Sequence, residues 1–248
     1  MSFVNVSRDG GIATVVLQRG KVNALNPGVV EELAAAFTAL RNDPDAGGVV
    51  LTGSGKFFSF GFDIPEFLSY SREEFTDYLE SFTALYRELF VFPKPLVAAL
   101  NGHAIAGGCM IALTSDVAIM AEGGAKIALN ELTFGASVFA GITEILRFRT
   151  GSRASEILYS GAMYPPEEAR AIGLVAEVVA PERLLGRARE VAGELASRRG
   201  EAFAGIKALL RAPVAESMAR REAESIRQFV DIWYSEPTRT NLRGITIR

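Results

Sequence analysis

The sequence predicts an α/β fold, with a layered core of strands and helices and further helices appended towards the C-terminus. In the first half of the chain, short apolar runs with the length of buried strands alternate with segments of helical periodicity. In the last third, the segments are helical in pattern and mix apolar with charged residues. No internal repeat, low-complexity run or linker is evident, so this order of elements favours a layered core.

The composition is that of an ordinary soluble globular protein, with 49% hydrophobic and 22% charged residues in 248. The formal net charge is −3, so no overall basic excess indicates a nucleic-acid partner. One cysteine excludes an internal disulfide, and one histidine leaves few ligands for a transition metal, so we expect no metal site. Without a membrane-length apolar run or a secretory signal pattern, the expected location is the cytoplasm, with no membrane contact.

Two β-prone runs, residues 3–7 and 12–17, are separated by a polar, glycine-containing turn and predict a β-hairpin. The next helix is expected to start at Pro27, which suits a first helical turn, with Asn26 as its N-cap. Its apolar face consists of Val29, Val30, Leu33, Phe37 and Leu40. This helix should end near residues 41–44.

Residues 49–52 predict a short buried strand. The phenylalanine-rich segment 57–64 that follows is loop-like, and its rings suit either core packing or the wall of an apolar pocket. Between residues 71 and 90, apolar side chains recur at three and four positions, which predicts a helix. Two prolines then end this helix and precede a buried strand at residues 96–100.

The later strands are short and the later helices are interrupted. Strands are predicted at residues 117–121 and 176–179, and residues 126–129 are expected to return the chain after the turn at 122–124. Short helices are expected between residues 142 and 174, broken by Gly151, Gly161 and the Pro165-Pro166 pair. A helix should start at Pro181 and run to about residue 198, and two more are expected near residues 201–211 and 215–234.

A glycine pair, Gly107 and Gly108, lies between the strand at 96–100 and an uncharged segment that suits a buried helix. Glycine allows backbone to approach a ligand closely, and the first turn of a helix has unpaired N–H groups at a positive dipole end. The pair therefore suits either a pocket for developing negative charge or a tight turn with close packing.

Glu131 is the candidate general base, because apolar residues flank it and burial would raise its pKa. A solvated glutamate at the end of a loop is the structural alternative. His103 and Cys109 are better explained as packed residues, since no acid with triad spacing accompanies the histidine and no base accompanies the thiol. Dinucleotide and phosphate-loop motifs are absent.

Five segments in order along the chain match one known pattern: residues 21–25 (Lys-Val-Asn-Ala-Leu), 58–64 (Phe-Ser-Phe-Gly-Phe-Asp-Ile), 93–95 (Pro-Lys-Pro), 101–109 (Asn-Gly-His-Ala-Ile-Ala-Gly-Gly-Cys) and 115–116 (Ser-Asp). Together these segments resemble the enoyl-CoA hydratase/isomerase, or crotonase, family. The resemblance implies a crotonase-like core of repeated ββα turns at residues 1–195. It also implies a C-terminal helical oligomerisation region at residues 196–248, and a homotrimer or hexamer.

The resemblance also implies the residues of an acyl-CoA site. The backbone N–H groups of Phe62 and Gly107 would form an oxyanion hole for the thioester carbonyl, with Glu131 as the catalytic base. Coenzyme A would be part of the substrate, so no separate cofactor is expected. The substrate-binding residues would be Ala24, Leu25, Phe60, Gly61, Asp63, Ile64 and Met110.

One departure from the family pattern indicates the reaction. Hydratases of the family carry two glutamates, and the first would fall at position 110, where this chain has Met110. A single carboxylate suits proton transfer from C2 to C4 of one acyl chain, which is the reaction of the Δ3,Δ2-enoyl-CoA isomerases. Residues 106–114, 129–135 and 165–169 look closest to the mitochondrial type of these enzymes. Hydration, another thioester reaction such as hydrolysis or a lyase step, and non-catalytic acyl-CoA binding are the alternatives.

Overall fold

The main sheet has six strands in the order β1-β2-β3-β5-β7-β9. The structure is a computed structural model that describes residues 2–198 and 200–245. The first two strands pair antiparallel and every later pair in this sheet is parallel. These strands are β1 (Val4–Asp9), β2 (Ile12–Leu17), β3 (Gly48–Gly53), β5 (Leu96–Leu100), β7 (Val117–Ala121) and β9 (Glu177–Val179).

A second, smaller sheet lies beside the first and has three parallel strands in the order β4-β6-β8. Its strands are β4 (Phe57–Ser59), β6 (His103–Ile105) and β8 (Ile127–Ala128). Each follows a strand of the main sheet in the chain, so the core repeats a strand-strand unit that mostly leads into a helix. This arrangement confirms the predicted α/β fold. The glycine pair begins a helix after the strand at 96–100, as expected, but the short strand β6 between them was not predicted.

Ten α-helices occur within the described residues, and several start where the sequence predicts. They are α1 (Pro27–Asn42), α2 (Ile64–Phe67), α3 (Arg72–Phe90), α4 (Gly107–Leu113), α5 (Ala140–Thr150), α6 (Ala154–Ser160), α7 (Pro166–Ala171), α8 (Leu184–Ala196), α9 (Gly200–Trp233) and α10 (Glu236–Arg243). Asn26 caps α1 by accepting from the Val29 N–H at 3.2 Å. Ser71 and Glu74 form a reciprocal capping box at the start of α3. Across the described parts of the chain, none of these helices combines the length and apolarity needed to cross a bilayer.

The C-terminal helices differ from the sequence prediction. Residues 201–234 were expected to form two helices, but α9 is a single helix of 34 residues that continues through Pro213. A proline inside a helix removes one hydrogen bond and costs about 3 kcal/mol. Here the helix is anchored near that point, because the Arg211 guanidinium donates to the carbonyls of Phe90 and Thr114, each at 2.7 Å. Helix α10 was not predicted.

The main sheet is covered on both faces. Helix α8 packs on one face, where Leu184 and Ala188 join a buried cluster with Val50, Val97 and Ile119. The larger core lies on the other face and includes the aromatic side chains of α3 and α9. Helix α9 packs against α3 and α5 of its own chain. It therefore closes the end of the core at which the candidate site lies.

Candidate active site

A cavity of about 290 Å³ lies between the start of α4, a 3₁₀ helix at Glu131–Phe134, and the C-terminal half of α9. Six residues predicted from the sequence line it: Phe60, Phe62, Ile64, Gly107, Met110 and Glu131. Sequence reasoning missed other wall residues, namely Asn130, Thr133, Phe134, Phe139, Phe229 and Trp233. Six of the lining side chains are aromatic, so the cavity is a predominantly apolar pocket of the kind that binds small molecules.

The loop at Gly61 packs closely against the start of α4. The Leu25 N–H donates to the Gly61 carbonyl at 2.7 Å, and the Asp63 N–H donates to the Leu25 carbonyl at 2.9 Å. This pattern directs the N–H of Phe62, the residue between them, away from Leu25, and no hydrogen bond to it occurs among the described residues. Gly61 has a φ of +90°, and an added Cβ would lie 3.0 Å from the Gly107 nitrogen. Glycine is therefore required there for the close approach.

The start of α4 presents a second free N–H. Gly107 is the first residue of the helix, and its N–H has no acceptor within the described residues. The preceding Ala106 has a φ of +48°, a conformation that costs a non-glycine residue about 1–3 kcal/mol. Both glycines of the pair are needed for packing, because a Cβ on Gly107 would lie 3.0 Å from the Phe62 ring, and one on Gly108 would lie 2.4 Å from the Ser59 carbonyl oxygen.

Glu131 is the first residue of the 3₁₀ helix, and its side chain is buried among apolar neighbours. Neither carboxylate oxygen has a hydrogen-bond partner in the described structure. Burial raises the pKa of Glu131 to about 8, because desolvation penalises the charged carboxylate. The structure therefore has the raised pKa that was predicted from the apolar residues on either side of Glu131 in the sequence. Among the described residues lining the cavity, Glu131 is the only one with an ionisable side chain.

Met110 lies one turn into α4 and lines the same cavity with its buried side chain. Its N–H donates to the Ala106 carbonyl at 2.9 Å, which fixes the first turn of the helix. The position at which the family resemblance places the first hydratase glutamate thus holds an apolar group on the cavity wall.

Four predicted substrate-binding residues do not line this cavity: Ala24, Leu25, Gly61 and Asp63. Asp63 accepts from the Glu66 N–H at 3.3 Å as the N-cap of α2, and it pairs with Arg19 at 2.7 Å. The Ala24 carbonyl accepts from the same guanidinium at 3.2 Å. These residues hold the Gly61 loop in place, and their contact with coenzyme A stays a prediction.

The structure supports a packing role for His103 and Cys109. His103 Nδ1 accepts from the Lys126 N–H at 3.2 Å, and burial together with the nearby Lys126 charge lowers its pKa. The Cys109 thiol is buried, and desolvation together with the nearby Glu131 charge holds its pKa well above the usual range. No group of three His, Cys, Asp or Glu side chains suited to a metal ion occurs within residues 2–198 and 200–245.

The whole arrangement can bind a carbonyl compound that loses a proton from carbon. Two unpaired backbone N–H groups from neighbouring segments suit a developing oxyanion, and a carboxylate of raised pKa lines the same cavity. Comparison with known proteins agrees with this chemistry. Residues 7–244 match the family model described as enoyl-CoA hydratase/isomerase, and the chain belongs to that family.

Individual relatives cover almost the whole chain. The probable enoyl-CoA hydratase EchA17 of Mycobacterium tuberculosis is 30% identical over 237 residues, which is 93% of this chain and 90% of the relative. The short-chain-enoyl-CoA hydratase of Clostridium acetobutylicum is 32% identical over 79% of this chain and 76% of its own length. The crystal structure of human mitochondrial Δ3-Δ2-enoyl-CoA isomerase superposes with a TM-score of 0.90 at 28% identity, covering 97% of this chain and 95% of that one.

Proposed function

We propose that this protein is a Δ3,Δ2-enoyl-CoA isomerase, which moves the double bond of a 3-enoyl thioester of coenzyme A to position 2. The observation that carries this proposal is Glu131, the single ionisable side chain among the described residues of the cavity wall, buried and without a hydrogen-bond partner among them. A shift of the double bond transfers one proton within one acyl chain, so one base is sufficient. Coenzyme A enters as part of the substrate, and no separate cofactor is required.

The proposed reaction begins with the thioester oxygen accepting hydrogen bonds from the N–H groups of Phe62 and Gly107. The Glu131 carboxylate removes a proton from C2, and the electron pair of that C–H bond delocalises into a dienolate with negative charge on the thioester oxygen. The protonated Glu131 then returns the proton to C4, which leaves the double bond between C2 and C3. A pKa near 8 makes Glu131 a stronger base than an exposed glutamate and supports this role.

Hydration of a 2-enoyl-CoA is the second candidate, because most of the similar proteins are named as hydratases. Hydration requires one group to activate water and another to protonate the carbon chain. Met110 supplies neither, since a thioether does not exchange protons near neutral pH. The apolar side chain at this position therefore favours isomerisation over hydration.

Two substrates separate the candidates. The purified protein should convert 3-octenoyl-CoA to 2-octenoyl-CoA rapidly, which is measured by the ultraviolet absorbance of the conjugated thioester. It should add water to 2-octenoyl-CoA at least about a hundredfold more slowly, because it lacks the second acid-base group. Rapid loss of the conjugated absorbance from 2-octenoyl-CoA would support the hydratase instead.

A homotrimer or hexamer is the proposed assembly. Its support within this chain is an apolar strip on the outer face of α9, where Ile206, Leu209 and Leu210 are 61%, 81% and 58% exposed. Apolar side chains exposed together at this level usually mark an association surface. Analytical ultracentrifugation of the wild type and of a Leu209→Lys variant tests this assembly. A wild type that sediments as a monomer would contradict it.

A further inference from the structure

The single tryptophan of the chain lies at the candidate site but has no role in the proposed proton transfer. We propose that the preferred acyl chain carries a hydroxyl group, and that this oxygen accepts a hydrogen bond from the indole N–H of Trp233. The inference rests on the proposed function, because it names the class of acyl-CoA that the isomerase site takes. Trp233 is then a specificity-determining residue and not a catalytic one.

Trp233 is buried at the end of α9 and forms part of the cavity wall. Its ring lies 4.6 Å from Phe75 and 5.8 Å from Phe229, measured between ring centroids. The indole Nε1 is fully buried and has no hydrogen-bond acceptor in the described part of the chain. It is a strong donor among aromatic rings that offer no oxygen or nitrogen acceptor.

Two tyrosine hydroxyl groups in the same aromatic core are paired. The Tyr86 hydroxyl donates to Glu222 at 2.6 Å, and the Tyr234 hydroxyl donates to the Tyr70 carbonyl at 2.7 Å. Buried donors left without an acceptor are rare in folded proteins because each forfeits the hydrogen bond that it makes to water in the unfolded chain. Phenylalanine would fill much of this space without that penalty, as it does at the neighbouring Phe229. An acceptor on the substrate explains why tryptophan is suited to this position.

A second orphaned polar atom selects a hydroxyl among the possible oxygen groups. Asn130 Oδ1 is buried without a donor among the described residues, and Asn130 lines the same cavity. A hydroxyl can accept from the indole N–H and donate to the amide oxygen, whereas a keto or ether oxygen can only accept.

Binding measurements test the inference without relying on turnover. The ligands are octanoyl-CoA and its analogues with a hydroxyl at C5, C6, C7 or C8, all saturated and therefore unable to isomerise. Isothermal titration calorimetry should show at least one hydroxyl analogue binding wild type about tenfold more tightly than octanoyl-CoA, which is about 1.4 kcal/mol. Trp233→Phe should lose this preference and bind octanoyl-CoA at least as tightly as wild type does.

A control variant and a direct measurement on the indole N–H complete the test. Tyr234→Phe removes the neighbouring aromatic hydroxyl, which donates to Tyr70 and not to the cavity, and should keep the wild-type preference. Because the chain has one tryptophan, its indole N–H gives a single proton-nitrogen resonance, which should move downfield with the preferred hydroxyl analogue and not with octanoyl-CoA. The inference is overturned if no hydroxyl analogue binds wild type more tightly than octanoyl-CoA and the resonance responds equally to all ligands. Absence of isomerisation of 3-octenoyl-CoA would instead reject the proposed function.

Discussion

Two carboxylates near helix α4, one buried and one largely buried, have opposite surroundings. Asp116 follows the C-terminal end of α4, and its oxygens lie 2.7 Å from the Lys207 ammonium and 3.0 Å from the Arg211 guanidinium. It also accepts from the Leu96 N–H at 2.8 Å. Glu131 lines the cavity at the N-terminal end of the same helix, where its oxygens have no partner among the described residues. The Asp116 side chain is 12% exposed and Glu131 is 3% exposed, so both are largely removed from water and the main difference is the supply of partners.

The difference separates a structural carboxylate from a reactive one. Asp116 joins the first half of α9 to the start of β5 and the end of α4, so the ion cluster fixes the position of the helix whose far end carries Phe229 and Trp233. Cationic and hydrogen-bonding partners stabilise the charged form of a carboxylate. Glu131 lacks them, so its proton affinity stays high at the expense of folding stability. The two regions predict separate consequences for activity and for stability.

The largest expected effect is on turnover when the reactive carboxylate is removed. Glu131→Gln keeps the shape of the side chain but cannot remove a proton, so kcat for 3-octenoyl-CoA should fall about 10²–10⁴-fold. The Kd of octanoyl-CoA should change less than about threefold, because the thioester oxygen is bound by backbone N–H groups. Steady-state kinetics and calorimetry measure the two quantities. Glu122→Gln, at an exposed position after β7, is the matched control and should retain wild-type kcat. Unchanged kcat in Glu131→Gln would remove this residue from the mechanism.

Removing the structural carboxylate should act on stability instead. Asp116→Asn leaves Lys207 and Arg211 as buried cations without their partner, which is expected to lower the free energy of unfolding by about 3–5 kcal/mol. Urea denaturation followed by circular dichroism measures this value. Asp231→Asn on the same helix breaks an exposed pair with Arg72 and should lower it by less than about 1 kcal/mol. Equal effects of the two variants would show that the buried cluster does not anchor α9.

The contrast between these carboxylates also predicts a pH dependence. The pKa of Glu131 is about 8 in the folded protein and near 4.5 in an unfolded chain. Between these values the unfolded state is ionised and the folded state holds the proton, so this group's stabilisation is lost as pH rises. As pH rises through that window, the free energy of unfolding of Glu131→Gln should increase relative to that of wild type by about 1.4 kcal/mol per pH unit. Above about pH 8 the difference should become constant. Urea denaturation at pH 5, 6, 7 and 9 measures it, and a difference independent of pH would contradict the buried, unpaired state of Glu131.

Local signals were sufficient for much of the fold. Asn26 and Pro27 predicted the start of α1, and the glycine pair at Gly107 predicted where backbone approaches closely. Elements that depend on distant partners were missed. Strand β6 has three residues and is held by pairing with β4 and β8. Local propensity predicts a helix boundary at Pro213. Helix α9 continues through this residue because contacts with the core stabilise it there.

The candidate site shows the same difference between residues that local sequence predicts and residues that depend on distant parts of the chain. Glu131 was predicted because apolar residues flank it in the sequence, and its side chain is buried in the fold. Phe229 and Trp233 were missed because they reach the cavity from a helix about a hundred residues further along the chain. The apolar periodicity of residues 215–234 was the available signal, since it indicated a buried face. It could not indicate which cavity that face would cover.

Glu222 is intermediate between the two carboxylates and predicts the smallest effect. Burial raises its pKa, yet it accepts from the Tyr86 hydroxyl at 2.6 Å and has a backbone hydrogen bond to Gly141 at the start of α5. Tyr86→Phe removes one of these two donors, so the free energy of unfolding should fall by about 1–2 kcal/mol. Ser81→Ala, on the exposed face of α3, is the control and should change it by less than about 0.5 kcal/mol. Urea denaturation of the two variants measures the difference. If Tyr86→Phe lowered the free energy of unfolding as much as Asp116→Asn does, a carboxylate with one remaining donor would behave as an unpaired charge. Glu222 would then belong with the ion cluster and would not be intermediate.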